Sequence, residues 1–227
     1  MSLGSSFEYY QYKKTDNTDI IINYPSLIHS YDSSTIYNSK AFGGVVLNLN
    51  YDNRDNVLLP TSGSFFNIKT QAYKGLNSFS ESFAQIISEL AIYKKLDRQS
   101  YVVIANRLGG GLTLGKPTFY QSLFLGGHEN LLGFRQYRFA GERMLYNNFE
   151  IRIKMANISS YILPGQLGIM GFYDVGKVWA KGYNSDNWHQ GLGSGIYFAP
   201  AQMAVFQLVA GYSKEGWYPY FTMGLRF

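Results

Sequence analysis

The sequence contains no cysteine, which excludes a disulfide framework and any thiolate metal site. Charge is scarce. Asp, Glu, Lys and Arg make up 15% of the 227 residues, against roughly 25% in an ordinary soluble domain. The net charge of +5 is scattered, with no run of four Lys or Arg, so the chain carries no nucleic-acid footprint. No apolar run approaches the ~18–20 residues of a spanning helix. The opening "MSLGSSFEYY" has neither the basic nor the apolar part of an export signal, so an exported protein with this sequence is expected to be a mature or truncated piece. His29, His128 and His189 are far apart and fit no catalytic spacing; His128, beside Glu129, reads as a solvated loop residue. The run Gly109–Gly111 precedes no helix and so is no phosphate cradle. The composition and motifs imply no enzyme, no cofactor and no metal.

What the chain does have is 20 Tyr, 16 Phe and 24 Gly. Many aromatics and glycines with few charges and no long apolar run describe a chain that hides its apolar surface by alternation, as an antiparallel transmembrane β-barrel does. In "LYNNFEIRIKMAN" (145–157), Phe149, Ile151 and Ile153 fall on one face and Asn148, Glu150, Arg152 and Lys154 on the other. Successive side chains of a strand point to opposite faces, so one face is oily and the other charged. A soluble β-sandwich strand shows the same pattern once. Here it recurs at 43–55, 62–75, 81–95, 100–115, 166–180, 190–200, 203–213 and 217–227, with a weaker candidate at 5–14. That makes about ten strands. In the last, Trp217, Phe221, Met223, Leu225 and Phe227 are expected to share one face.

The links between these strands alternate in length. Those at 15–41 and 116–144 are long, and those at 96–99 and 200–202 are very short. Outer-membrane barrels combine short periplasmic turns with longer outside loops. With ten strands and the C-terminus inside, both long links fall outside and both tight turns fall in the periplasm. Segment "DIIINY" (19–24), within the first long link, could pair locally. The expected domain is a single barrel over 1–227: a weak first strand with a long loop or tail over 1–41, then a motif-bearing barrel over 42–227.

One stretch breaks the alternation. "LLGFRQYRFAGE" (131–142) brackets two arginines and two phenylalanines with glycines. With its flanks it reads "LFLGGHENLLGFRQYRFAGERMLYNNFEIRI" (123–153). Further on, "GFYDVGKVW" (171–179) places Phe172, Asp174 and Gly176 on one face. Earlier, "LNYDNRDNVLLPTSGSFFNI" (49–68) carries Arg54 and Asp55, then Pro60 and Gly63, for which a tight turn is sufficient explanation. Taken together and in this order, the three segments resemble the bacterial surface antigen superfamily of outer-membrane assembly and secretion barrels (BamA/TamA/FhaC-like). The C-terminal portion of that barrel is the part resembled, over about 40–227.

The resemblance implies that the loop folds back into the lumen. Its motif residues would be Gly126, Gly127, Gly133, Phe134, Arg135, Arg138, Gly141, Glu142 and Arg143. The inward strand motif would be Phe172, Asp174 and Gly176, and Phe221, Leu225 and Phe227 would form the terminal strand signal. In the family an arginine directly before the Gly-aromatic pair meets the inward aspartate; here that position is Leu132. The contact must be lost or made by Arg135, Arg138 or Arg143, of which Arg135 lies nearest the lost position. The implied function is insertion of other outer-membrane proteins, or secretion of a polypeptide, at a barrel seam with strand 217–227 on one side. The expected partners are outer-membrane lipid, client polypeptides and periplasmic modules that this chain does not contain. The alternatives are a passive anchor for an exported enzyme domain and a diffusive pore; a soluble lumen-binding barrel is the outsider. The family barrel has about sixteen strands, so this chain would be a fragment of it or a reduced form.

Overall fold

A computed structural model describes residues 1–13, 35–159, 161, 164–180, 187–201 and 203–227. The segment 19–24 and most of the long link 15–41 lie outside the described residues. The strands are β1 (Ser2–Tyr10), β2 (Lys40–Asp52), β3 (Gly63–Gly75), β4 (Phe83–Lys95), β5 (Val102–Gly115), β6 (Leu123–Leu125), β7 (Phe139–Gly141), β8 (Arg143–Ile158), β9 (Gly165–Trp179), β10 (His189–Pro200), β11 (Phe206–Ser213) and β12 (Gly216–Met223). Ten of them form one antiparallel sheet in the order β1-β2-β3-β4-β5-β8-β9-β10-β11-β12, and β6 and β7 form a separate ribbon. Among the described residues β1 pairs only with β2 and β12 only with β11, so each keeps a free edge.

The outer face of the sheet is apolar and exposed, and the inner face mixes buried polar and charged side chains with aromatic and aliphatic ones. Leu49, Ile92, Leu108, Phe149, Tyr173, Ile196, Leu208 and Phe221 point outward and are exposed. Lys40, Gln85, Arg107, Asn148, Glu150, Arg152, Asp174 and Gln207 point inward and are buried. Alternation within each strand accounts for this, because an apolar band suits lipid and a polar interior suits a wet or plugged lumen. Along β8 exposed or half-buried positions alternate with buried ones from Arg143 to Ile153. A bulge between Lys154 and Ala156 then breaks the register with β9.

The turns at 96–101 and 53–62 form as their residue types dictate, while the tight turn expected at 200–202 includes a residue outside the described ones. Asp97 accepts hydrogen bonds from the backbone N–H of Tyr101 (2.9 Å) and Val102 (2.8 Å), and these hold its carboxyl below the usual carboxylate range. In the 53–62 turn burial pushes the Asp55 carboxyl up, but hydrogen bonds from Thr61 and Ser62 outweigh it and the net shift is downward. Register fixes the inner rows. Arg107 opposes Asn148, Asn148 opposes Asp174, and Asp174 opposes Gly191. This row forms the floor of the candidate site.

Candidate functional site

The link from β5 to β8 turns inward. It leaves Gly115, passes through a 3-10 turn at Phe119–Gln121 and builds the β6–β7 ribbon against the inner faces of β8 and β9. Leu123, Leu125, Leu131 and Phe134 pack with Met144, Tyr146 and Val178. Leu125, Leu131 and Phe134 are fully buried. Burying that much apolar surface gives the loop a core of its own, at roughly 1.5–3 kcal/mol per large side chain. Asn130 ties the bend internally by accepting the Gly126 N–H at 2.8 Å and donating to the Phe124 carbonyl at 2.9 Å.

The apex of the loop sits over Asp174. The Leu132 N–H donates to Asp174 Oδ2 at 2.9 Å. Gly133 has φ +90, a left-handed conformation that its lack of Cβ permits. Its N–H donates to the Tyr220 hydroxyl at 3.0 Å, and that hydroxyl donates to the Phe134 carbonyl at 2.6 Å. The Ser213 hydroxyl donates to the Gly133 carbonyl. The sheet has a gap where the loop lands, for a Cβ on Gly191 would overlap the Leu132 carbonyl and one on Gly211 would lie 2.6 Å from the Gly133 nitrogen. Small residues at Gly191 and Gly211 therefore form the seat.

The cation at Asp174 is Arg226, which comes from the C-terminal tail rather than from the loop. β12 ends at Met223, and Gly224, with φ +110, turns the chain inward. Arg226 Nη1 lies 2.6 Å from Asp174 Oδ2, and its Nη2 lies 3.7 Å from Glu150 Oε2. Arg152 Nε lies 3.1 Å from the other oxygen of Glu150. Arg107 donates to Asn148 Oδ1 through Nε and Nη2, to the Arg226 carbonyl at 3.1 Å, and to the Glu129 carbonyl. Asn148 in turn donates to the Asn130 carbonyl at 2.8 Å. Arg107 also faces Glu89 at 3.8 Å. Three guanidiniums thus meet three carboxylates inside the sheet, and near-neutrality is what a confined interior requires.

The expected residues divide accordingly. Leu132, Gly133 and Phe134 reach the lumen floor, as do Phe172, Asp174 and Gly176, with Gly176 leaving room for Leu125. Gly126, Gly127 and Gly141 are buried within the folded loop, and Glu142 is half-buried. Arg135 and Arg143 are exposed, away from Asp174. Arg138 pairs with Glu215 at 2.8 Å and lies 5.3 Å from the Phe139 ring, which stacks on His189. Phe221 points outward, but Leu225 and Phe227 do not share its face. Leu225 packs inward against Tyr197, Ala199 and Val205. Phe227 lies against Ala91, Tyr93 and Ala105, with Arg107 4.7 Å above its ring. The reversal at Gly224 ends the alternation that the sequence carries to its last residue. The sequence pattern does not point to Arg226, Tyr220, Arg107 or Glu150 for this site, and its one signal for the tail is Gly224 two residues ahead of Arg226.

Beside β12, a cavity of about 910 Å³ is lined on one side by Pro219 to Arg226 and on the other by Gln85, Glu89 and Arg107. A family model described as the Omp85 superfamily domain matches residues 1–213. Among solved structures, the crystal structure of BamA from Haemophilus ducreyi lacking POTRA domains 1-3 aligns with a TM-score of 0.68 at 16% identity. The alignment covers 98% of this chain and 50% of that one, so the chain spans half the length of that structure. No curated protein matches.

Proposed function

The chain belongs to the Omp85 superfamily, and from that membership we propose that it is a non-enzymatic barrel of the Gram-negative-type outer membrane that inserts other barrel proteins or passes polypeptides across. The observation that carries this reading is the edge of β12, unpaired among the described residues, beside the 910 Å³ cavity. An unpaired edge presents N–H and C=O groups that an incoming strand can pair with. Pro219 removes one donor from that edge, which lowers the strength of any partner ladder there.

The loop and tail would control that edge. Tyr220, on β12, holds the loop apex, and Arg226, three residues beyond β12, holds Asp174. Outward movement of β12 therefore breaks the Tyr220 and Arg226 contacts together. The turns 96–99 and 200–202 would face the periplasm and the 76–80 link the outside. Loop and tail pack against the inner face of the sheet, an arrangement that supports a plugged barrel over a diffusive pore.

The test is the folding of an unfolded eight-stranded outer-membrane barrel into liposomes, with and without this protein incorporated. Faster folding is expected. No acceleration, together with no passage of a polypeptide into the vesicles, would overturn the proposal. Large open-channel conductance from the intact protein would favour the pore instead.

A further inference from the structure

A second cavity lies at the far end of the sheet from the β5–β8 loop, where the 53–62 and 96–101 turns close over the inner faces of β8, β9 and β10. It measures about 180 Å³, enough for roughly six water volumes at ~30 Å³ each. Its polar wall comprises Arg152, Lys154, Gln166, Gln99, Tyr197, Thr61 and Ser100, whose hydroxyl makes a long 3.5 Å contact to Thr61 that a better acceptor can replace, and no Asp or Glu among the described residues lines it.

Arg152 is the unusual member. It is 2% exposed, and its Nη1 and Nη2 have no hydrogen-bond acceptor. Its Nε lies 3.1 Å from Glu150 but too far out of line to form a hydrogen bond. Glu150 is moreover shared with Arg226. The Tyr93 ring, 5.7 Å from the guanidinium carbon, covers one side without supplying an acceptor. A buried guanidinium normally places its N–H fork against carboxylate, phosphate or carbonyl oxygens.

The charge balance favours an anion. Among the described residues the cavity wall carries two cations, Arg152 and Lys154, and no carboxylate; Arg152 faces Glu150 from within β8, and the Lys154 ammonium lies 4.8 Å from the Tyr101 ring. The two turn carboxylates, Asp55 and Asp97, do not line the cavity, although the charge of Asp97 still acts on Lys154. Asp55 accepts from Thr61 and Ser62, and Asp97 accepts from Tyr101 and Val102. Gln166 already donates to the Tyr197 hydroxyl, so that hydroxyl is free to donate into the cavity.

We propose that this cavity binds a phosphate group, held by the guanidinium fork of Arg152 and the ammonium of Lys154 with Tyr197 and Ser100 as neutral donors. A tetrahedral group with several acceptor oxygens suits donors that converge from two strands and a turn better than a single planar acceptor does. The group could be free phosphate or the headgroup of a phospholipid at that end of the barrel. The site does not depend on the assembly activity.

The experiment uses the purified full chain in phosphate-free detergent buffer. Inorganic phosphate and glycerophosphoglycerol, the soluble headgroup of phosphatidylglycerol, are titrated calorimetrically against chloride at matched ionic strength. Saturable binding of at least one is expected. Stronger binding of the headgroup identifies lipid as the source, and stronger binding of phosphate identifies the free ion. Lys154→Gln, at a half-exposed position, should weaken binding about tenfold, the factor for one lost charge-assisted contact. Arg152→Lys should abolish binding if it folds; if it does not, Lys154→Gln and Ser100→Ala carry the test. No binding beyond chloride, or unchanged binding in Lys154→Gln, overturns the site.

Discussion

Replacing Arg226 by Met tests the central contact of the lumen. Asp174 is fully buried, and without Arg226 its Oδ2 keeps only the Leu132 N–H. A buried carboxylate that loses its cation is left largely uncompensated, and such losses run to about 3–5 kcal/mol. Arg226 also stands 5.2 Å from the Phe172 ring and 5.6 Å from the Phe227 ring, and loss of these contacts adds up to about 1 kcal/mol each. Asp174→Asn keeps an acceptor for Leu132 and leaves Arg226 with Glu150 at 3.7 Å, so it should cost less, about 1–3 kcal/mol. Because the two groups touch, the double mutant should cost less than the sum, with a coupling of about 2 kcal/mol. The loop arginines are the controls. Arg135→Ala and Arg143→Ala remove exposed side chains and should stay within about 0.5 kcal/mol. Arg138→Ala breaks a partly exposed pair worth about 0–1 kcal/mol. The assay is urea titration of the protein folded into liposomes, read by heat-modifiable gel mobility. A coupling below about 0.5 kcal/mol, or an Arg135→Ala cost equal to that of Arg226→Met, would refute the assignment of the cation to the tail.

Gly191→Ala should push the Leu132 carbonyl off its seat and make the loop protease-sensitive at a cost of about 1–3 kcal/mol, whereas Gly171→Ala, whose Cβ would meet nothing closer than 3.6 Å, should be tolerated. Equal protease sensitivity in the two variants would contradict the seat. Phe149→Arg, on the outward face near the middle of β8, should cost about 2–4 kcal/mol of folding in liposomes; a neutral result would mean that this face does not meet lipid. A membrane-impermeant maleimide on intact cells should label Ser78→Cys and spare Arg98→Cys, and the reverse pattern would invert the topology. The Asp97 contribution is present above the unfolded carboxylate pKa and is lost as pH falls through the lower folded value. Cleavage within the 96–101 turn should therefore rise on acidification in the wild-type protein, and in Asp97→Ala it should be high already at neutral pH.

The strands were legible because their period is local. The alternation of Phe149, Ile151 and Ile153 with Glu150 and Arg152 survives as alternating exposure along β8, and ten strands were expected where ten pair. Loop entry was legible only through the resemblance, since the β6–β7 ribbon is three residues on each side and carries no periodicity of its own. Register was not legible at all. That Arg107, Asn148, Asp174 and Gly191 form one row follows from which residue opposes which across four strands, and a local pattern does not contain that information.

The tail shows most clearly where a local pattern misleads. Trp217, Phe221, Met223, Leu225 and Phe227 keep period 2 to the end, so alternation alone extends the last strand to Phe227. The chain instead turns at Gly224, whose N–H is taken by the Val205 carbonyl at 2.6 Å. Leu225 then finds apolar neighbours on β10 beside Val205, and Phe227 finds them on β4 and β5. Between them Arg226 meets the one buried carboxylate that the loop reaches only through a backbone N–H. A guanidinium at position 132 would hold the loop to β9 alone. Carried on the tail, the same charge links the loop seat, β9 and the end of β12, while the backbone on either side of it spans the sheet from β10 to β4. One ion pair, Arg226 with Asp174, thereby ties the floor under the loop to the end of β12.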